Sequence, residues 1–142
     1  MKTLIFTTLF VAFFAYTNAK IYSKCELVEE LHNAGFPKED LPDWVCLVEH
    51  ESNYDSEAIG EENHDGSQDY GIFQINSKYW CNVGSPGGDC NLDCNSLISD
   101  DIGDDIQCAK MIFDRHHFDA WYGWINNCKG AELPSIDECN VK

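Results

Sequence analysis

The sequence is poor in basic residues, and this excludes several classes of partner. Only 9 Lys and Arg residues stand against 25 Asp and Glu residues, which gives a formal net charge of −16. Without a basic patch to displace counterions, we expect no nucleic-acid partner. The negative charge also argues against disruption of membranes by a cationic surface. The sequence has no internal repeat, low-complexity tract or proline-rich linker, so it predicts a single domain.

A signal peptide is predicted at the start of the chain. Residues 4–16 are mostly apolar, follow Lys2 and precede the small residues at positions 17 and 19. The run is short for a membrane helix, which needs about 20 apolar residues. We therefore predict a signal peptide over residues 1–19 and one mature, secreted domain over residues 20–142. A retained signal anchor is the alternative. Removing residues 1–19 takes away Lys2 and no acid, so the mature charge is −17.

Cysteine is abundant, and all eight cysteines fall in the predicted mature domain. An even count behind a secretion signal implies a disulfide framework, with four bridges if all of them pair. A zinc site is the competing interpretation. It is disfavoured because Cys90 and Cys94 have no second pair at the spacing of a zinc finger. The spacing alone leaves the pairing of the cysteines open.

Two helices are predicted in the first part of the mature chain. Ser23 and Glu26 have the spacing of a capping box ahead of an apolar run, which predicts a short first helix. A second helix begins near Pro42, because proline suits the first helical position, and runs to about Ser52. Glu51 would then lie in its last turn.

A hairpin and two further helices are predicted in the second part. Asp65 and the glycine after it indicate a tight turn, and residues 70–75 are β-rich, so we expect a small antiparallel hairpin. Asp69 would stand at the start of its second strand. Acids within residues 100–105 open a third helix, and residues 118–127 indicate a fourth. These elements predict an α+β fold.

Glu51 and Asp69 are candidate catalytic residues because their surroundings differ. Glu51 ends an apolar helix, whereas Asp69 lies among amide and hydroxyl side chains. Glycoside hydrolysis needs one carboxyl group that apolar burial keeps protonated and a second that stays ionised in polar surroundings. With 25 acidic residues in the chain, such a pair also arises by chance, so position alone is a weak signal.

Several segments of the mature chain together form a pattern typical of one protein family. They are KIYSKCEL from residue 20, WVCLVEHESNY from residue 44, DGSQDYGIFQINS from residue 65, YWC from residue 79, CAK from residue 108 and AWYGW from residue 120. These segments resemble C-type lysozymes. The similarity covers nearly the whole mature chain, including all eight cysteine positions, and the string DYGIFQIN is highly specific.

The resemblance implies a helical lobe and a small antiparallel β lobe, approximately residues 58–98, with the active-site cleft between them. It also implies the disulfides Cys25–Cys139, Cys46–Cys128, Cys81–Cys94 and Cys90–Cys108. The implied activity is retaining hydrolysis of the β-1,4 bond between N-acetylmuramic acid and N-acetylglucosamine in bacterial peptidoglycan, with chitin oligosaccharides as a weaker substrate. Such a protein is a secreted monomer with an antibacterial or digestive role, and it requires no cofactor.

The resemblance also assigns roles to single residues. Glu51 would be the general acid and later the base, and Asp69 the nucleophile or electrostatic stabiliser. Substrate-binding roles would fall to Gln74, Asn76, Tyr79, Trp80, Ala120 and Trp121. The alternative is a non-catalytic, lysozyme-like protein that binds saccharides. Such relatives usually lack one or both carboxylates, and this chain has both.

Residues 96–105 have two interpretations. They resemble the calcium loop of α-lactalbumins and calcium-binding lysozymes, which implies carboxylate ligands from Asp104 and Asp105 and carbonyl ligands from Ser96 and Asp101. Ser99 stands where the third carboxylate belongs, so such a site would be weak, because calcium prefers 6–8 oxygen ligands with strong negative charge. The interpretation that we favour is an acid-capped helix start without a metal.

Overall fold

The computed structural model describes residues 20–141, so the predicted signal peptide lies outside the described residues. Helix α1 spans Lys24–Asn33 and begins with the predicted capping box, in which Ser23 and Glu26 each accept a hydrogen bond from the other's backbone N–H. It ends at Asn33, shortly before Gly35 at φ +84°. In the described part of the chain, none of the helices combines the length and the apolar character that crossing a bilayer requires.

Three more helices surround a core centred on Trp44. Helix α2 spans Leu41–Ser52, α3 spans Gly103–His116 and α4 spans Tyr122–Asn127. The Trp44 side chain in α2 is fully buried. The rings within 6 Å of its ring centroid belong to Phe36, Phe73, Phe113, Phe118 and Trp121. Such aromatic pairs each add about 0.5–1.5 kcal/mol beyond their burial, so the core is anchored on α2, the helix that carries Glu51.

The fourth predicted helix is interrupted in the structure. Residues His117–Ala120 form a 3₁₀ turn, Trp121 is extended at φ −111° and ψ 116°, and α4 begins only at Tyr122. The prediction of one helix over residues 118–127 was therefore wrong at Trp121. The extended residue lets the Trp121 indole turn inward, where its Nε1 donates a hydrogen bond to the Phe73 carbonyl at 2.9 Å.

The hairpin exists, but its strands differ from the prediction. Strand β1 is Asp69–Tyr70 and pairs antiparallel with β2, Ile75–Asn76. Asp69 therefore begins the first strand of this hairpin rather than the second. The β-rich run is a strand, a turn and a strand, because Gly71 and Gln74 have φ values of +75° and +49° that reverse the chain. The apolar residues between them are buried in the turn.

A second short strand pair follows in the cysteine-rich segment. Strand β3 is Cys81–Asn82 and pairs parallel with β4, Leu92–Asp93. The β region is therefore two small sheets, of which only the first is antiparallel. A 3₁₀ turn over Cys94–Leu97 leads on toward α3.

Four disulfides hold these elements together, and they are the four pairs that the resemblance implied. Two of them join distant parts of the helical region. Of the other two, one cross-links the β region internally and one links the β region to α3. The bridges are Cys25–Cys139, Cys46–Cys128, Cys81–Cys94 and Cys90–Cys108. Native bridges in small secreted domains each contribute about 2–5 kcal/mol. The framework thus fixes the two sides of the molecule that carry Glu51 and Asp69.

The end of α2 is also tied directly to the turn between β1 and β2. The Ser52 hydroxyl donates a hydrogen bond to the Ile72 carbonyl at 2.7 Å. The Trp121 indole bonds the next carbonyl, that of Phe73. These two bonds hold the hairpin turn against the helices and so position Asp69 relative to Glu51.

Candidate active site

One cleft, about 630 Å³ in volume, brings together every residue outside the disulfides that was predicted for the site. Its size is typical of ligand pockets, which measure about 300–1,000 Å³. The predicted residues in its lining are Glu51, Asp69, Gln74, Asn76, Tyr79, Trp80, Ala120 and Trp121. Helices α2, α3 and α4, with the turn before α4, supply part of this lining, and the hairpin with the segments on either side of it supplies the rest.

The Glu51 carboxyl group is held in a partly buried position at the end of α2. Its Oε1 accepts a hydrogen bond from the Gly123 backbone N–H at 2.9 Å. A Cβ atom at Gly123 would stand 2.6 Å from that oxygen, so the absence of a side chain there makes room for the carboxyl group. Burial raises the pKa of Glu51, with a further rise from the charge of Asp69, against a lowering by the Gly123 N–H. A carboxyl group with a raised pKa is suited to carry a proton near neutral pH.

Asp69 has polar surroundings on both oxygens. Asn76, its partner across the hairpin, donates from Nδ2 to Oδ1 at 2.8 Å. Asn63 donates from Nδ2 to Oδ2 at 3.4 Å. Both amides also donate to the Ser67 hydroxyl oxygen, at 3.1 and 3.2 Å, which fixes their orientation. Two amide donors stabilise the negative charge of a carboxylate, so Asp69 and Glu51 occupy contrasting environments in one cleft.

Gln74 lies in the cleft wall, but its amide group supports the hairpin turn. Its Nε2 donates to the Ala58 carbonyl at 3.2 Å and to the Gly71 carbonyl at 3.0 Å. Both amide hydrogens are therefore used within the protein. The side chain contributes to the site by fixing the turn that follows Asp69, with only its carbonyl oxygen left for other contacts.

The aromatic residues of the cleft range from buried to exposed. Trp121 is only 4% exposed and packs against Trp44, so it belongs to the core as well as to the cleft wall. Trp80 is half-buried, with the Arg115 guanidinium 5.5 Å from its ring centroid. Tyr79 is 57% exposed. The last two present aromatic surface to whatever occupies the cleft.

Sequence reasoning missed several residues of the cleft wall. Asn63 and Ser67 lie in the polar tract before Asp69, a tract that was noted only as its surroundings. The AWYGW string contains Tyr122, but the resemblance gave it no role. The full set of missed lining residues is Asn63, His64, Asp65, Ser67, Ile75, Ile112 and Tyr122.

The cysteines do not form a zinc site in the described residues. Every cysteine there is in a disulfide. Cys46, His50 and Cys128 have potential ligand atoms within 4.8 Å of one another, but the two sulfurs are bonded to each other. A disulfide sulfur is not a thiolate and does not bind zinc as one.

In the loop of residues 96–105, the groups expected to bind calcium are not all gathered around one cavity. The Ser99 hydroxyl, which replaces a carboxylate, donates to the Asp101 carbonyl at 2.9 Å, one of the carbonyls expected to bind the ion. Asp105 is fully buried, lies beside Gly71 and does not line the small cavity of this loop. Of the two carboxylates expected as ligands, only that of Asp104 lines this cavity.

Comparisons with known proteins agree with this geometry. The model of the C-type lysozyme/alpha-lactalbumin family matches residues 20–139. Lysozyme c-1 of Anopheles gambiae is 53% identical over 129 residues, covering 91% of each chain. A solved structure of canine milk lysozyme stabilised against non-enzymatic deamidation has a TM-score of 0.77 and 41% identity, covering 86% of this chain and all of its own. A calcium-binding lysozyme from equine milk has a TM-score of 0.75 and 38% identity over the same shares. The chain therefore belongs to the C-type lysozyme/alpha-lactalbumin family and is a glycoside hydrolase of the lysozyme type.

Proposed function

We propose that the protein hydrolyses the β-1,4 bond between N-acetylmuramic acid and N-acetylglucosamine in bacterial peptidoglycan, with retention of configuration. The observation that carries the proposal is the pair of carboxyl groups in one cleft, Glu51 partly buried with a raised pKa and Asp69 hydrogen-bonded by two amides. Retaining glycosidases use such a pair as acid and nucleophile.

Glu51 acts first as the general acid. Since its Oε1 accepts from the Gly123 N–H, the transferable proton belongs on Oε2. That proton passes to the glycosidic oxygen as the bond to the leaving sugar breaks. Asp69 stabilises the positive charge that develops on the sugar ring or forms a covalent bond to it. Glu51 then takes a proton from the water that completes the reaction.

The other predicted residues either support the two carboxyl groups or bind the saccharide. Asn76 orients Asp69, and Trp121 provides an apolar wall beside the carboxyl group of Glu51. Tyr79 and Trp80 offer aromatic surfaces on which sugar rings stack. The Ala120 backbone carbonyl accepts a hydrogen bond from an N-acetyl group. These contacts suit N-acetylated saccharides in general, so chitin oligosaccharides serve as a weaker substrate.

We further propose that the protein is secreted and acts outside the cell as a monomer. Four disulfides are typical of proteins from oxidising compartments. Within residues 20–141, five large apolar side chains are exposed and two of them line the cleft, which leaves little apolar surface there for a permanent partner.

The proposed activity is tested by the clearing of a suspension of Gram-positive cell walls across acid to mildly alkaline pH. Clearing must be accompanied by new reducing ends on N-acetylmuramic acid, which distinguishes this bond from the other bonds of peptidoglycan. Glu51→Gln serves as the inactive control. The absence of clearing by the wild type at every pH, at ionic strengths of both about 0.01 and about 0.1 M, would overturn the proposed activity. Binding of chitohexaose without turnover would instead favour a non-catalytic saccharide-binding protein.

The pH profile is expected to depend on the charge of the substrate. On neutral chitohexaose, activity falls at high pH as Glu51 ionises, and its raised pKa moves this fall above the ordinary range of a glutamate. On anionic cell walls, the predicted mature charge of −17 adds repulsion, so the optimum shifts to lower pH. Raising ionic strength from about 0.01 to 0.1 M shortens the screening length from about 30 to 10 Å and is expected to increase the neutral-pH rate on walls severalfold. Rates on cell walls that do not change with salt would contradict a role of charge repulsion in the pH profile.

We infer that the protein works without calcium. Of the carboxylate ligands that the resemblance implied, only Asp104 lines the cavity of this loop, so about 1 mM calcium is expected to move the thermal midpoint by less than about 1 °C relative to a chelator. Differential scanning calorimetry measures the shift, with Asp104→Asn as the matched variant. A rise of several degrees that Asp104→Asn abolishes would overturn this inference.

A further inference from the structure

Tyr122 is an exposed aromatic residue in the wall of the cleft. Its side chain is 80% exposed, the highest value among the exposed large hydrophobic residues of the described chain. It nevertheless lines the same cavity as Glu51 and Asp69. Since so little of the ring is buried, packing does not explain a large aromatic side chain here. Exposed aromatic residues beside polar groups commonly mark binding surfaces.

The backbone that carries Tyr122 is fixed on both sides. The preceding residue, Trp121, is anchored by its indole bond to the Phe73 carbonyl at 2.9 Å. The following residue, Gly123, donates its N–H to Glu51 Oε1 at 2.9 Å. Tyr122 is thus held one residue from the contact that positions the proposed acid. A ring on a fixed backbone binds a ligand with little loss of backbone entropy.

We propose that Tyr122 binds the sugars on the leaving-group side of the cleaved bond, the second leaving sugar included, and so helps to select which bond of a saccharide is cut. This rests on the proposed role of Glu51 as the acid. The acid must reach the oxygen of the leaving group, so the wall beside Glu51 faces the sugars that leave. Tyr79 lies three residues after Asn76, in the loop that follows strand β2, and Asn76 is the residue that orients Asp69.

The chemistry of the phenol ring fits this role. A tyrosine offers an apolar ring face to the C–H face of a pyranose and a hydroxyl group to water or a sugar hydroxyl. The cleft thereby carries two exposed aromatic rings, Tyr122 next to the residue that bonds Glu51 and Tyr79 in the loop after the strand that bonds Asp69. Contacts at both ends of the bound saccharide fix its register relative to the carboxyl groups.

The test is the position of the cut in chitohexaose, read by mass spectrometry of products formed in heavy-oxygen water. In Tyr122→Ala, cuts that leave two or more sugars on the leaving-group side of the cleaved bond are expected to become about three- to tenfold rarer. Tyr122→Phe is expected to keep the wild-type pattern, because the ring remains. Tyr79→Ala is expected to shift the cuts in the opposite direction. Val83→Ala removes a side chain that is 55% exposed outside the cleft lining and is expected to change nothing.

A second substrate separates binding of the leaving sugar from damage to the site. Chitotriosyl fluoride has a single atom as its leaving group, so its kcat in Tyr122→Ala is expected to stay within about twofold of the wild type. An unchanged pattern of cuts by Tyr122→Ala would overturn the inference and leave the proposed function intact. If the wild type cleaves no saccharide, the proposed function fails. The affinity of each variant for chitohexaose then tests whether Tyr122 contacts the saccharide. A loss of about threefold or more in Tyr122→Ala then supports the contact, and equal affinity overturns it.

Discussion

Glu51→Gln is expected to lower the rate of cell-wall hydrolysis by about 10³-fold or more while leaving the fold intact. General acid catalysis contributes about 10²–10⁴-fold to such reactions, and an amide has no acidic proton to give. The glutamine still accepts the hydrogen bond from the Gly123 N–H, so the geometry is kept. Because burial raises the pKa of Glu51, ionising it in the folded protein costs stability as the pH rises. The variant is therefore expected to be at least as stable as the wild type at neutral pH.

Glu49→Gln is the matched control for this variant. Glu49 lies two residues earlier on the same helix, is exposed and does not line the cleft. Its substitution is expected to keep the wild-type rate within about twofold, as is usual for exposed residues away from a site. Initial rates of clearing and circular dichroism report activity and fold separately. A Glu51→Gln protein that keeps a tenth of the wild-type rate would contradict the role of Glu51 as the acid.

The cleft could be predicted from the sequence because much of it lies within short strings. Asp69, Gln74 and Asn76 belong to one run of eight residues, and the hairpin brings them to one wall. Asn63 and Tyr122 escaped prediction for different reasons. The contact of Asn63 with Asp69 depends on how the turn around Asp65 folds back. The place of Tyr122 in the cleft depends on the break in the helix at Trp121.

Local patterns predicted α1 and α2 well, since capping residues and a proline at a helix start act through neighbouring backbone groups. These local patterns failed where tertiary contacts determine the conformation of the backbone. The run from Tyr70 to Ile75 has the composition of one strand, but Gly71 turns the chain so that Ile72 and Phe73 enter the core. Burial of those two side chains outweighs the preference of the run for extended structure.

Asp105 is another residue whose position the sequence did not reveal. As one of the acids that open α3, it was expected either to cap the helix or to bind calcium. In the structure its side chain is fully buried, and neither carboxyl oxygen has a partner at full hydrogen-bond geometry among the described residues, although the backbone N–H groups of Asp105 and Ile72 act to lower its pKa. A Cβ atom on Gly71 would stand 2.4 Å from its Oδ1 and 2.1 Å from the Leu97 carbonyl oxygen. The carboxyl group is therefore packed against the backbone of the hairpin turn.

Asp105→Asn is expected to stabilise the protein at neutral and alkaline pH by on the order of 2 kcal/mol. Burial raises the pKa of Asp105 to about 8 from an ordinary value of 3.8. Between these pH values the folded protein keeps a proton that the unfolded chain releases. The free energy of unfolding of the wild type therefore falls as the pH rises toward 8 and then levels off. Asparagine carries no charge at any pH, so the variant escapes this decline.

Denaturant titrations at about pH 4, 6 and 9 measure the effect, because they bracket the range in which the two states differ in protonation. The gap between Asp105→Asn and the wild type is expected to be small at the lowest pH and largest at the highest. Asp104→Asn is the matched control, since Asp104 is the adjacent acid on α3 but is exposed. A gap that does not grow with pH would mean that Asp105 is ionised in the folded protein at neutral pH. In that case its oxygens must have partners, and the packing of α3 against the Gly71 turn would owe its stability to a charge rather than to a neutral acid.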